Sequence, residues 1–255
     1  MTSTRAPHLV ITRPVEQARE TQTYFAQHHI DSTVLPVLAI ESILDQASVD
    51  ACLAGLNDCR HVIFISANAA HAGMKQLNAA GLSCANNTIM WAIGEATAKA
   101  LTGYGVSARV AQGSYNSEAL LSDSLLHNVA EQRVLIFRGE GGRQHLAQVL
   151  RERGAVVDYC EVYRRVATSP EPGGLRTLIE QQQSLALLLM SVESVDAFER
   201  YAINEGVLDT CKALPVLAPG PRIQGALTSR GYQRIVAAER ANLDCLCTAL
   251  KQLIT

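Results

Sequence analysis

The sequence predicts an α/β protein built from two copies of one parallel-sheet unit, and three observations lead there. Short apolar runs alternate with helical patterns along all 255 residues, as in strand-helix-strand units. Landmarks recur at a constant shift: Arg13 and Arg138 (138 − 13 = 125), Ser66 and Ser191 (191 − 66 = 125), Ser117 and Asn242 (242 − 117 = 125). The alternation breaks at Thr168-Ser-Pro-Glu-Pro-Gly-Gly174, a composition that reads as a linker.

In chain order, His8–Thr12 is a buried strand, and Pro14 suits the first turn of a helix over Glu16–His29. Val34–Ile40 is extended. Pro36 inside it cannot donate to a ladder, so the segment is an edge or a sheet exit. Val49–Leu56 is helical. His61–Ile65 is a strand stopping at Ser66, followed by a helix over Asn68–Ala80. Thr88–Ile93 is a strand stopping at Gly94, and the helix Glu95–Thr102 ends at Gly103. Val106–Val110 is a short strand, and Ser117 suits the N-cap of a helix over Glu118–Leu126. Val134–Arg138, a glycine-rich turn, a helix and a strand carrying Tyr163 come next. After the linker, strands are expected at Leu185–Met190, Leu214–Ala218 and Arg234–Ala237, and helices at Val192–Tyr201, Arg222–Ser229 and Asn242–Leu253. Gly94 maps onto Gly220 with one extra residue, and both following helices contain Ala-Leu-Thr, at 100–102 and 226–228.

Composition narrows the function. Hydrophobic residues make up 48% and charged residues 18%, enough apolar content for a sizeable core. The formal net charge of −2 argues against a sequence-independent nucleic-acid binder. The first residues lack an apolar leader, and no apolar run approaches the ~20 residues of a membrane span, so no membrane partner is expected. Seven scattered cysteines fit thiols in a reducing cytoplasm. Cys245-x-Cys247 lacks a second ligand pair, and Gly139-Glu-Gly-Gly142 is neither a dinucleotide fingerprint nor a phosphate loop. No paired-histidine metal motif or nucleophile elbow appears. No cofactor and no metal are therefore expected.

The landmarks share a position. Each ends a strand and begins a helix, where ligands bind in open parallel sheets and where unpaired backbone N–H groups favour anions. Two such edges facing one another would form a cleft suited to several carboxylates or phosphates. Serine, glycine and threonine are also ordinary caps at such turns. Arginines at strand ends ask for an anionic partner. Tyr163 is the distinctive hydroxyl, placed to donate a proton to a departing oxygen, although a half-buried strand aromatic would look the same.

Several segments together carry a family resemblance: Val10-Ile-Thr-Arg13-Pro14, Phe64-Ile-Ser66-Ala-Asn68-Ala, Ile93-Gly94-Glu-Ala-Thr97-Ala98, Ser114-Tyr-Asn-Ser117-Glu-Ala-Leu-Leu, and Val134-Leu-Ile-Phe-Arg138-Gly139 with Gly142-Arg143. Arg153-Gly-Ala-Val-Val157 and Glu161-Val-Tyr163-Arg164 extend the set. In this order they resemble the uroporphyrinogen-III synthases from end to end. The resemblance implies two flavodoxin-like α/β domains joined by a two-stranded linker, with the active site in the interdomain cleft. One domain would take residues 1–36 and 168–255 and the other 39–165, with crossings near 36–41 and 163–168.

It also implies a cofactor-independent carbon–oxygen lyase. That enzyme closes hydroxymethylbilane, a linear tetrapyrrole with many carboxylates, with loss of water and inversion of the last ring. The protein would be a cytoplasmic monomer that takes its substrate from hydroxymethylbilane synthase. By this resemblance Tyr163 is the proton donor. Arg13, Ser66, Ala67, Gly94, Thr97, Ser117, Arg138, Gly139, Ser191, Pro221 and Arg222 contact substrate. Ile223 departs from the pattern, because many relatives carry a threonine there that mirrors Thr97. Met190-Ser-Val-Glu-Ser194 is also looser than usual. The competing expectation is a non-enzymatic hinge-type binder of an anionic small molecule.

Overall fold

The computed structural model describes residues 7–43, 46–111, 117–142, 144–182 and 184–252. Ser114, Tyr115, Asn116 and Arg143, which carried part of the resemblance, lie outside them. The chain runs β1 (His8–Ile11), α1 (Val15–Gln27), β2 (Ser32–Val34), β3 (Leu38–Ser42), α2 (Gln46–Ala54), β4 (Cys59–Phe64), α3 (Ala67–Ala79), β5 (Ile89–Ala92), α4 (Glu95–Thr102) and β6 (Arg109–Val110). It continues with α5 (Ser117–Leu121), β7 (Arg133–Gly139), α6 (His145–Glu152), β8 (Val156–Ala167), α7 (Gly174–Gln181), β9 (Leu185–Leu188), α8 (Val192–Asn204), α9 (Leu208–Ala213), β10 (Pro215–Pro219), α10 (Pro221–Ser229), β11 (Arg234–Ala238) and α11 (Leu243–Lys251).

These elements form two compact units. Unit 2 is Ile40–Arg165, and unit 1 takes the residues before it together with those from Val166 onward. Unit 1 holds a sheet of order β11-β10-β9-β1-β2, with parallel pairing throughout. Unit 2 holds the order β3-β8-β7-β4-β5-β6, parallel from β8 to β6. Numbered along the repeat, both sheets read second, first, third, fourth, fifth strand, the order of flavodoxin-like sheets. The two copies have exchanged partners. β1 pairs with β9, from the far copy, and β7 pairs with β4, from the near one.

The chain passes between units inside β3 and β8, which pair with each other. They run antiparallel, because Ile43 N donates to Val162 O while Thr168 N donates to Val37 O. The expected single strand over Val34–Ile40 is thus two, β2 and β3, separated at Pro36. The ring nitrogen of Pro36 has no hydrogen to give, but its carbonyl accepts from Thr168 Oγ1 at 2.5 Å.

Both sheets are covered on both faces, which explains the unbroken apolar runs of their central strands. In unit 1, Val10, Leu187 and Val216 face one core, and Leu9, Ile11, Leu188 and Leu217 face the other. In unit 2, Val62, Phe64, Leu135 and Phe137 face α2, α3 and α4, while Ile63, Val134 and Ile136 face α5 and α6. Two helices were not expected. α7 starts at a glycine pair, with Gly173 at φ 80°, and its first turn is held from α8. There Tyr201 Oη donates to Glu171 O, and Glu205 Oε1 accepts from Gly173 N. α9 has six residues, too few to show a period.

His61 in β4 is 2% exposed and neutral by its hydrogen bonding: its Nδ1 accepts from Trp91 Nε1 at 3.0 Å, and its Nε2 meets Gln132 Oε1 at 2.9 Å. Burial lowers its pKa below the ordinary value, despite the opposing contact with Gln132. Below an ordinary histidine pKa of about 6.5 the unfolded chain binds a proton that the folded chain refuses. The stability due to His61 is therefore present above that pH and lost as pH falls through it. Urea midpoints should fall between pH 7.5 and pH 5.5 by more in wild type than in His61→Gln; equal falls would mean that His61 does not titrate this way.

Candidate functional site at the carboxyl edges

In each sheet the strand order reverses between the first and third strands, and the carboxyl ends there are the favoured binding position. In unit 2 that point lies between β7 and β4. β4 runs through Ile65 to Ser66, which caps α3: its Oγ accepts from Ala69 N at 3.0 Å. β7 ends at Gly139, beside Tyr163 of β8.

Tyr163 reaches this point through a bulge. Arg138 is level with Glu161, yet the next residue, Gly139, is level with Tyr163, so Val162 is an extra residue on β8. Strict alternation would put Tyr163 on the same face as Tyr159 and Glu161. The bulge turns it instead to the face of Cys160 and Val162, under α3. There Tyr163 Oη meets Ser66 Oγ at 3.2 Å. The ring lies against Gly139, where a Cβ would stand 2.5 Å from Tyr163 Cζ, closer than any side chain tolerates. Glu140 N donates to Tyr163 O at 2.7 Å and closes the turn. Tyr163 as a whole is 4% exposed.

α3 owes its position to another close approach. A Cβ on Gly73 would fall 2.6 Å from Phe137 Cδ1. Phe64 and Phe137 stack with centroids 4.7 Å apart, and the bare helix face at Gly73 lies directly on them. This contact, invisible in the strand pattern, sets where Ser66 stands.

The remaining expected residues fall in different places. Ala67 is the first residue of α3, with its amide in the turn that has no intrahelical acceptors. Gly94 caps α4 without a side chain, and Thr97, in the same first turn, is 2% exposed. Ser117 is the first residue of α5, not its cap, and α5 packs on the opposite face of the sheet.

Arg138 also turns to that opposite face. It is 3% exposed, with its guanidinium 4.4 Å above the Tyr159 ring, its Nε donating to Gly139 O and lying 3.6 Å from Glu161 Oε1. The turn after it wraps the guanidinium. Gly142, at φ 91°, approaches so closely that a Cβ would sit 3.0 Å from Arg138 Nη2. Arg138 therefore already has its anionic partner, on the neighbouring strand.

In unit 1, Arg13 folds onto its own helix, donating to Thr21 Oγ1 at 2.8 Å and Gln17 Oε1 at 3.2 Å. Burial lowers its pKa from the usual arginine range, with Glu20 opposing. Ser191 caps α8 in a capping box: Ser194 N donates to Ser191 Oγ, and Ser191 N donates to Ser194 Oγ. Ser194 closes the box in the segment that looked loose. Pro221 opens α10 after Gly220, whose φ of 84° favours glycine; Arg222 beside it is exposed. Ile223 is buried in the unit 1 core, so the departure from threonine is an exchange of an inward-facing residue.

Unit 2 also has a cavity of about 690 Å³, lined by Ile43, Ser48, Cys52, Glu140, Tyr159, Glu161 and Arg164. Two carboxylates in its wall make it a poor host for a polyanion. Among the described residues no three His, Cys, Asp or Glu side chains gather as a metal site. The arrangement supplies hydroxyl protons and backbone N–H donors, which suits acid assistance to an anionic substrate.

Comparison with known proteins gives the family of the chain. The sequence model described as uroporphyrinogen-III synthase HemD matches residues 19–247. Similar curated proteins named uroporphyrinogen-III synthase come from Proteus mirabilis (30% identical; 62% of this chain, 80% of that one) and Salmonella typhimurium (33%; 63% and 66%). One from Synechococcus elongatus is 26% identical over 86% of this chain and 84% of that one. Among solved structures, uroporphyrinogen-III synthetase from Helicobacter pylori aligns over 98% of this chain and 100% of its own, with TM-score 0.60 and 15% identity. A mutant uroporphyrinogen III synthase from Thermus thermophilus aligns over 97% and 98%, with TM-score 0.57 and 19% identity. These structures share the fold.

Gly139→Ala should destabilise the protein by about 1–3 kcal/mol, the usual cost of overpacking. The cost should shrink when Tyr163→Ala removes the ring. Urea unfolding of the two single variants and the double variant measures this; an undiminished cost would assign the glycine another purpose.

Proposed function

Because the chain belongs to the uroporphyrinogen-III synthase family, we propose that it converts hydroxymethylbilane into uroporphyrinogen III, and that Tyr163 is the acid of this reaction. The observation that carries the proposal is the paired hydroxyls of Tyr163 and Ser66 at the switch point of unit 2, beside the N-terminus of α3.

The substrate supplies most of the driving force. A pyrrole nitrogen lone pair expels the terminal hydroxyl, and the Tyr163 proton passes to the departing oxygen, so that water leaves. The electron-deficient terminal carbon then bonds to the last ring at its substituted position, giving a spiro intermediate whose opening and reclosure invert that ring. The proton released when the last pyrrole regains aromaticity restores Tyr163. The net change is loss of one water, as a cyclising hydro-lyase requires. The protein need only protonate, hold the chain ends together and favour one closure by shape.

Within unit 2 the carboxylates are held by first-turn amides and dipoles, at Ala67 of α3 and in the turn after Gly94 that contains Thr97. Arg13 and Arg138, engaged within their own units, act by stiffening the strand ends and adding local positive charge. The reaction needs no cofactor. The protein works as a monomer in the cytoplasm, where its seven free thiols suit a reducing medium. Its substrate closes unaided to the non-inverted ring, which favours direct receipt from hydroxymethylbilane synthase. Among the described residues no helix is long and apolar enough to cross a membrane.

Tyr163→Phe should lower kcat roughly 10- to 100-fold, at the modest end of acid catalysis because the pyrrole does much of the work, with little change in KM. Initial rates of hydroxymethylbilane consumption, corrected for spontaneous closure, measure this. An unchanged kcat would remove Tyr163 from the chemistry.

A further inference from the structure

We propose that Ser66 is a positioning residue whose hydroxyl donates to Tyr163 Oη and so keeps the tyrosine proton turned outward for the departing hydroxyl. This deepens the reading of Tyr163 as the acid and rests on it.

The direction of the hydrogen bond decides whether Tyr163 can act. A tyrosine hydroxyl has one proton. If Tyr163 donated to Ser66, that proton would be engaged within the protein, and the phenol could only accept from a substrate. If Ser66 donates, the phenolic proton is left for the substrate.

The surroundings of Ser66 favour the second arrangement. Its Oγ accepts the Ala69 amide at 3.0 Å, an acceptor role fixed by helix capping. Its own proton needs an acceptor, and among the described residues the one within reach is Tyr163 Oη, at 3.2 Å. The chain of donation then runs from the Ala69 amide to Ser66, from Ser66 to Tyr163, and from Tyr163 to the substrate. Successive hydrogen bonds in this sense polarise one another and strengthen the last donor. After the proton leaves, the phenolate keeps the Ser66 O–H, and the positive end of α3 faces it.

The Tyr163 ring itself cannot adjust. The Val162 bulge fixes the face it takes, and the bare backbone of Gly139 fixes its depth. What remains free is rotation of two hydroxyl protons, and the Ala69 amide biases the first of them. Ser66 thus gives its one proton to Tyr163 rather than to a substrate carboxylate, and its cap and its contact with tyrosine are two ends of one device.

Capping and positioning separate by substitution. Threonine preserves both. Aspartate preserves the cap, since its carboxylate accepts from the first-turn amides, but it has no proton to give and would draw the tyrosine proton inward. Ser66→Thr, Ser66→Asp, Tyr163→Phe and the double variant Ser66→Asp/Tyr163→Phe are compared in melting temperature, KM and kcat with hydroxymethylbilane.

Ser66→Thr should restore kcat to within about threefold of wild type. Ser66→Asp should melt near wild type yet lose about tenfold in kcat, and in the Tyr163→Phe background it should lower kcat no further, because the two changes disable one donor. A charge effect on substrate affinity would raise KM equally in both backgrounds. The proposal is overturned if Ser66→Asp keeps wild-type kcat, or lowers kcat by the same factor with and without the tyrosine. Should Tyr163→Phe alone leave kcat unchanged, the acid assignment itself fails and the positioning role goes with it.

Discussion

The pairing of a first strand with a third strand from the other copy is the constraint on which the rest depends. β1 finds its partner in β9, and β7 finds its partner in β4. Unit 1 is complete only when the residues before Ile40 meet those from Val166 onward, whereas unit 2 is one uninterrupted stretch that joins strands of both copies. The same pairing creates the reversal of strand order. At that reversal two strand ends diverge to helices on opposite faces and leave a gap that the backbone itself does not fill. The gap in unit 2 is where Ser66 and Tyr163 come together.

From that point the site is built by near-contacts. Gly73 lets α3 lie on the Phe64–Phe137 stack, and Gly139 lets the Tyr163 ring lie on β7. Both glycines are absences that permit an approach. Arg138, on the opposite face, stiffens the same strand end through Gly139 O, Glu161 and the Tyr159 ring. The result is a rigid tyrosine with one soft coordinate, the rotation of its proton. That economy fits a reaction in which the substrate supplies the electrons and the protein must decide when the hydroxyl leaves.

Much of the architecture was legible because it rests on periodic burial and on duplicated sequence. Alternating apolar runs marked the strands, and the constant shift linked Ser66 to Ser191, which both turn out to cap helices. Other features leave no periodic trace. The extra residue Val162 looks like any buried strand valine, yet it decides which face Tyr163 takes. α7 depends on a positive φ at Gly173 and on side chains of α8, and α9 is shorter than two turns. The duplicated arginines suggested two ligand contacts; within their own units Arg13 donates to Thr21 and Gln17, and Arg138 lies beside Glu161. Sequence places a charge at a strand end, but the side chain's direction depends on neighbours from other elements.

The central claim is that this chain directs a reactive linear tetrapyrrole into the inverted macrocycle. Freshly prepared hydroxymethylbilane, incubated with the protein, oxidised and separated by isomer, tests it most directly. The account requires predominantly the type III porphyrin, formed faster than spontaneous closure. Type I alone, at the rate seen without protein, would contradict it.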